Sequence, residues 1–304
     1  MQEDIDLVIG ASGLAGQSLI RTLRLRSKNV VGTYASRPRS GLRPLDFTDA
    51  GQIRECFTAL QPKTIYLAAA LTHVDYCEEC PEDAQRRNVD APKRIAQEAA
   101  RLGAKLVFYS TEYVFDGKNG PYDEEAKPAP LSVYGSTKLA AEQAIGEICA
   151  DALIIRTTVL YGWDRQSINF AMQIYQRVKS GTEMTIPNDQ IGNPTLAEYL
   201  AETSVFLVNR GVTGIVNVVG KDLIPRSEFA RALVGLYGGD VQRVIPVSTA
   251  SLKQKAARPL RGGLRTEKLK NLFGTEAISL QESLRRLKRD WEADPYNSLT
   301  LRVI

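Results

Sequence analysis

The sequence predicts a doubly wound α/β domain, a parallel sheet with helices on both faces, joined to a smaller C-terminal lobe. Three observations carry this. A glycine triplet, "GASGLAG" at 10–16, stands directly between a compact apolar run and a helical pattern. Apolar runs then alternate with amphipathic stretches up to Gly162. Beyond that residue the alternation gives way to shorter, turn-rich segments. Near-continuous apolar strands separated by helices belong to a parallel sheet buried on both faces.

Taken in order, "DLVIGA" is a strand ending in glycine and "LAGQSLIRTLRLR" a helix, followed by the strand "NVVGTYA". "AGQIRECFTALQ" is a helix, "TIYLAAA" a strand, and "DYCEECPEDA" a helix entry with acidic residues near its start. "DAPKRIAQEAARLG" is a helix stopped by Gly103, and "KLVFYST" the next strand. The turn-rich "GKNGPYDEEAKPAPLS" leads into a long helix, "SVYGSTKLAAEQAIGEICA", and then a buried strand, "ALIIRTTVLYG". In the second half "INFAMQIYQRVKSG" is helical, "TEMTIP" a short strand and "NDQIGNPT" a turn-rich loop. "LAEYLAETSVFLVNRG" is an amphipathic helix, and "GIVNVVG" a strand expected to return to the main sheet. "SEFARALVGLYGG" and "SLQESLRRLKRDWEA" complete the lobe as helices. The expected division is 1–163 for the sheet domain and 164–304 for the lobe, with 214–220 returning to the sheet. No low-complexity linker separates the two, so a shared cleft is the expected substrate site.

The 304 residues are 43% hydrophobic and 24% charged, as in an ordinary globular protein. No apolar run approaches the roughly 20 residues that a membrane span needs. The opening "MQEDIDLVIGASG" resembles no targeting peptide, so a cytoplasmic location is expected. The net charge is +4, yet residues 251–304 carry twelve Lys or Arg against six Asp or Glu, which leaves the first 250 at −2. The last helix reads as a solvated face, and no aromatic-interleaved basic run suggests nucleic acid. Cys77 and Cys80 form a CxxC, but a structural metal site needs a second ligand pair, and the one histidine, His73, lies close by. No metal is expected.

In the glycine loop, Gly10, Gly13 and Gly16 permit a tight turn, close approach of a pyrophosphate, and close packing of helix on strand. The following helix start offers free N–H groups to phosphates. A dinucleotide is the expected ligand, and the first domain is Rossmann-type. An acidic ribose ligand is absent after the second strand, where "VVGTYASRPRS" carries Arg37 and Arg39 instead. Guanidinium groups suit a 2′-phosphate, which favours NADP(H) over NAD(H). In "LDFTD", Asp46 can accept from an adenine amino group with the Phe47 ring beside it. A turn and helix cap explains the same residues equally well.

Tyr134 and Lys138 stand four apart at the start of the long helix and share one face. An ammonium held near a phenol favours the phenolate, so the Tyr134 pKa is expected to fall toward neutrality. A tyrosine so tuned can give a proton to a carbonyl oxygen that receives a hydride. "FYSTEY" ends the preceding strand at the sheet edge where ligands bind, so Thr111 can hold the same oxygen.

Together "GASGLAGQ", "LDFTD", "AAALTHVDYCEE", "RNVDAP", "YSTEYVFDG", "YGSTK", "RTTVLYG" and "DQIGNPT" resemble an extended short-chain dehydrogenase/reductase over nearly the whole chain. Within that superfamily the chain is most similar to the dTDP-4-dehydrorhamnose reductase family. The resemblance implies Tyr134 as acid, Lys138 as its partner and a ribose ligand, and Thr111 as third catalytic group. It implies a cofactor along Gly13, Leu14 and Ala15, with Asp46 and Phe47 by the adenine; Gly10, Ser12 and Gly16 of the loop and Arg37 after the second strand complete the expected cofactor-binding residues. Ala69, Ala70, Leu71 and Thr72 would line the loop after the next strand. The substrate would be a 4-keto-6-deoxy sugar on a nucleoside diphosphate, reduced at C4. Glu112, Val159 and Arg258 would face it, with Arg258 or Arg261 toward the diphosphate. Glu112 replaces the family's usual aspartate and Val159 a frequent tryptophan. A homodimer is compatible with the sequence. The regulatory beta subunit of methionine adenosyltransferase has similar motifs, and under that alternative a partner synthetase is implied. A nucleotide-sugar epimerase is a third reading, from which "DQIGNPT" points away.

Overall fold

The structure, a computed structural model, describes residues 4–25 and 29–295. Residues 1–3, 26–28 and 296–304 lie outside it, including the end of the first expected helix and the two outer domain limits.

The first half runs β1 (Asp6–Ile9), α1 (Leu14–Arg24), β2 (Val30–Tyr34), β3 (Arg43–Pro44), α2 (Ala50–Leu60) and β4 (Thr64–Leu67). It continues with α3 (Val74–Glu79), α4 (Pro81–Gln85), α5 (Ala91–Leu102), β5 (Lys105–Thr111), α6 (Val133–Ile148), β6 (Leu153–Thr157) and β7 (Leu160–Tyr161). The second half holds α7 (Phe170–Ser180), β8 (Met184–Pro187), β9 (Ile191–Gly192), β10 (Thr195–Leu196), α8 (Ala197–Asn209) and β11 (Gly214–Asn217). It closes with β12 (Ile224–Pro225), α9 (Arg226–Leu236), β13 (Val244–Val247), α10 (Glu267–Phe273) and α11 (Leu280–Glu292).

Seven strands form one sheet in the order β11-β6-β5-β4-β1-β2-β3, every pairing parallel. Successive strand residues point to opposite faces, so each strand feeds two cores. Leu7, Ile9, Ile65 and Phe108 pack with Phe57 of α2, Ile95 of α5 and Ile145 of α6 on one side. Val8, Tyr66, Val107 and Ile155 pack with Leu19 and Leu23 of α1 and Leu200 and Val205 of α8 on the other. The second face is therefore covered partly by a helix from the second half. β11 is the outer strand of the sheet, and α8, which precedes it, covers the face beside α1.

The smaller lobe has its own core, built from Phe170 and Ile174 of α7, Phe229 and Leu233 of α9, Leu287 of α11, and Tyr161. The short pairs β8–β13 and β9–β12 brace it.

The expected continuous strand "ALIIRTTVLYG" is two strands. β6 pairs with β5 and β11, whereas β7 pairs with β10. Between them Val159 has φ of 41°, a conformation that β-branched residues rarely adopt. The kink lifts the chain off the sheet at its carboxyl edge, where the lobe begins. Next to it Arg156 and Glu142 form a bidentate pair (Nη2–Oε2 2.7 Å, Nε–Oε1 3.0 Å), with both side chains at most 3% exposed. This pair ties β6 to α6.

Candidate active site

The glycine loop fits a pyrophosphate. Gly10 has φ of 85°, and a Cβ there would stand 2.6 Å from the Ala69 nitrogen; one on Gly16 would stand 2.3 Å from the Gly10 oxygen. Both positions thus exclude a side chain and keep β1, β4 and α1 in close contact. Gly13 caps α1 without a side-chain hydrogen bond, and no acidic residue occupies the first turn. The helix start is left to meet an anion through its N–H groups. Ser12 is buried, Leu14 and Ala15 are half-buried, and Leu14 packs against Gly162, where the lobe begins.

Beyond β2, Arg37 Nη1 donates to the Gln166 carbonyl at 3.2 Å, and Arg39 Nη2 meets Asp164 Oδ2 at 2.7 Å. Both arginines lean across to the segment after β7, and the buried Arg39 Nε has no partner. The loop after β2 and the segment after β7 are thereby joined by a guanidinium with an unused donor, a group that suits an added phosphate.

Asp46 is exposed and accepts from Thr48 N (2.9 Å) and Thr48 Oγ1 (2.7 Å), bonds that hold its carboxyl below the usual range. Asp49 caps α2 through Gly51 N and Gln52 N. The turn and cap are thus present, with the Asp46 carboxylate still reachable. The Phe47 ring corrects the expectation. It is 5% exposed and belongs to the α2-side core with Phe57 and Ile95, so it cannot pack beside an adenine.

Ala69, Ala70 and Leu71 are half-buried and Thr72 exposed, along the loop after β4. Asn88 pins that loop: its Oδ1 accepts from Leu71 N at 2.8 Å and its Nδ2 donates to Leu71 O at 2.9 Å. Asn88 lies within "RNVDAP", a stretch whose sequence gives no hint of that job.

Tyr134 is 9% exposed and packs with Leu71, Cys77 and Ala84. Burial raises its pKa, and a hydrogen bond with the Thr111 side chain opposes the rise. The expected fall toward neutrality does not occur in this state. Lys138 explains why: its Nζ donates to the Tyr109 carbonyl at 2.6 Å and lies 3.9 Å from the Phe108 ring centroid, turned into the sheet edge. At 2% exposure burial lowers the lysine pKa to about 7, with Glu142 opposing. Ser132 caps α6 through Gly135 N at 3.2 Å, which sets Tyr134 and Lys138 in the first turns. Tyr134 and Thr111 thus meet at the carboxyl edge of β5, while Lys138, one turn further along α6, reaches the Tyr109 carbonyl of the same strand. Thr111 Oγ1 also accepts from Tyr113 N at 3.2 Å, and the Tyr113 ring lies edge-on to Tyr134, 5.5 Å between centroids.

Glu112 is buried under the lobe. Thr158 Oγ1 donates to its Oε1, and a Cβ on Gly262 would stand 2.4 Å from its Oε2. Burial lifts its pKa to about 7. The segment 256–264 forms a strap over this floor. Ala256 N donates to Asp75 Oδ1 (3.0 Å), Ile191 N to Leu260 O (2.6 Å) and Arg261 N to Gly117 O (2.8 Å). Arg258 Nη2 meets Asp75 Oδ2 at 3.0 Å, while Arg261 is exposed. Val159 sits half-buried at the kink against the lobe core. The strap joins three segments far apart in sequence, so neither it nor Asp75 was readable from spacing.

Residues 6–292 match the family model described as RmlD substrate binding domain. The chain is 32% identical over 288 residues to the "Probable low-salt glycan biosynthesis reductase Agl14" of Haloferax volcanii, covering 92% of this chain and 96% of that one. It is 32% identical to dTDP-4-dehydrorhamnose reductase of Escherichia coli K12, over 92% and 96%. It is 30% identical to methionine adenosyltransferase 2 subunit beta of Pongo abelii, over 91% and 86%. The fold matches the crystal structure of dTDP-4-dehydrorhamnose reductase from Bacillus anthracis in complex with NADP, with a TM-score of 0.87, 29% identity, and coverage of 95% and 100%.

Proposed function

The chain belongs to the RmlD substrate binding domain family, and on that premise we propose that it is an NADP(H)-dependent reductase of a nucleotide-activated 4-keto-6-deoxy sugar. The observation that carries the reading is the pairing of Tyr134 with Thr111 at the carboxyl edge of β5, with Lys138 held against the same strand, two strands from the β1 end that bears the glycine cradle.

When bound, NADPH supplies the hydride; the protein supplies orientation and a proton. The uncapped start of α1 receives the pyrophosphate, and Arg39, with Arg37 beside it, receives the 2′-phosphate. Thr111 positions the substrate carbonyl oxygen. The Tyr134 phenol keeps its proton through neutral pH, as a general acid in the reducing direction requires. Lys138 stands within the same first turns of α6, and its lowered pKa makes its charge responsive to a neighbouring ribose and phosphate. The substrate lies between this edge and the strap that carries Arg258.

The test is NADPH oxidation, followed by absorbance, with dTDP-4-keto-6-deoxy sugars of both C3/C5 configurations. Turnover by the wild type and loss of about 100-fold or more in Tyr134→Phe, with NADPH affinity kept, is the expected result. Equal turnover by Tyr134→Phe would remove tyrosine from the mechanism. A second reading has one observation in its favour, the 30% identity to a methionine adenosyltransferase beta subunit over 91% of the chain. Under it, the protein binds NADP and acts through a synthetase, and a pull-down retains that synthetase while no ketosugar is reduced.

A further inference from the structure

Arg226 opens α9: the preceding Pro225 pairs in β12 with Ile191 of β9, Arg226 N donates to the Gln190 carbonyl at 2.9 Å, and Glu228 stands in the first turn of the helix. The Arg226 guanidinium carbon lies 4.2 Å from the Phe170 ring centroid. A cation on a ring face keeps its in-plane N–H donors free for an anion. The arginine retains some exposure, yet burial pulls its pKa below the usual range, and Arg258 pulls it the same way. Among the described residues no carboxylate lies within ion-pair reach of Arg226, whereas Arg258 has Asp75 at 3.0 Å. Glu112 is the acidic group nearest in effect, and its own burial favours its neutral form. A guanidinium partly withdrawn from water, influenced by a second arginine and without a carboxylate in ion-pair reach among the described residues, is held at a cost that a bound anion would offset.

Location identifies the anion. The Tyr113 ring lies edge-on to Tyr134, and both Arg226 and Arg258 favour ionisation of the Tyr113 phenol. Pro225, the residue before Arg226, pairs with Ile191 of β9, and Ile191 N donates to Leu260 O, so the start of α9 is tied to the strap that carries Arg258. A substrate held at its keto carbon by Tyr134 and covered by that strap would bring its phosphates to these arginines. We propose that Arg226, together with Arg258, is the subsite that takes the diphosphate of the nucleotide substrate. This deepens the reductase reading and rests on it for the identity of the anion. It makes Arg226 a determinant of which phosphate-bearing substrates enter.

The test compares wild type, Arg226→Gln and Arg226→Lys by calorimetric titration with dTDP, UDP, thymidine and inorganic pyrophosphate, and with NADPH as a measure of an intact fold. The expected result is a loss of tenfold or more in dTDP and UDP affinity for Arg226→Gln, partly restored in Arg226→Lys. NADPH and thymidine affinities stay unchanged, and the loss in turnover appears in KM more than in kcat. Should Arg226→Gln fail to fold, Arg226→Met, which keeps the stem against Phe170, carries the same comparison. Wild-type affinity for both nucleoside diphosphates in a folded Arg226→Gln enzyme that still turns over overturns the subsite and leaves the reductase reading standing. Arg226-dependent binding of pyrophosphate by a wild type that reduces no ketosugar supports the subsite and overturns the reading instead.

Discussion

Replacing Glu112 by glutamine removes one ionisation and keeps the shape of the side chain, including an oxygen for the Thr158 hydroxyl. Burial lifts the Glu112 pKa from 4.5 to about 7 in the folded protein, against the Thr158 hydrogen bond and the Arg226 charge. The unfolded chain titrates near the ordinary value. Between the two, the folded state holds a proton that the unfolded state has released. Stability from this group therefore falls as pH rises from about 4.5 to about 7, and is level above that. At about 1.4 kcal/mol per pKa unit, the gap amounts to roughly 3 kcal/mol. Glutamine has no such dependence. The variant should gain about 3 kcal/mol on the wild type between pH 4.5 and pH 8, beyond whatever constant difference the amide introduces. Urea denaturation of both proteins across that range measures it, because other titrating groups cancel in the difference. A difference that stays flat with pH refutes the argument that Glu112 ionises in a buried, undercompensated position.

Four further outcomes are expected. Gly16→Ala would drive a methyl group to 2.3 Å from the Gly10 oxygen; thermal melts should show a loss of about 1–3 kcal/mol, together with weakened NADPH binding. Arg156→Met strands the Glu142 charge inside the protein and should cost about 3–5 kcal/mol by denaturant titration, most of which Arg156→Met with Glu142→Leu recovers. Lys138→Met removes the ammonium that donates to the Tyr109 carbonyl and should lower kcat/KM by tenfold or more, measured alongside NADPH affinity. Asp164→Asn frees Arg39 of its ion pair, so NADPH affinity should rise while NADH affinity stays level in parallel titrations.

The parts of this molecule that were legible in sequence are those built from local pattern. The triplet Gly10, Gly13 and Gly16 shows itself because the turn, the helix start and the strand before it are contiguous. Tyr134 and Lys138 show themselves because a helix converts a four-residue spacing into a shared face. Their electrostatics did not follow, since the partner of Lys138 is the Tyr109 carbonyl on a different element. Phe47 misled because the alternation of a short strand end does not say which neighbour points to water. Val159 misled because an apolar β-branched run carries no mark of a kink. Asp75, Asp164 and Arg226 were silent because each meets its neighbours only after the lobe has folded back over the sheet.

That folding back governs how the molecule can be divided. β6 lies between β5 and β11, and β11 arrives only after the chain has built much of the lobe. A fragment ending at residue 163 would present β6 as a raw edge and leave the α1 side of the sheet without α8. Exposed strand edges recruit other chains, so such a fragment should come out of expression as aggregate. Exchange of substrate preference between relatives is better attempted by grafting the strap or the start of α9 into an intact chain than by swapping halves.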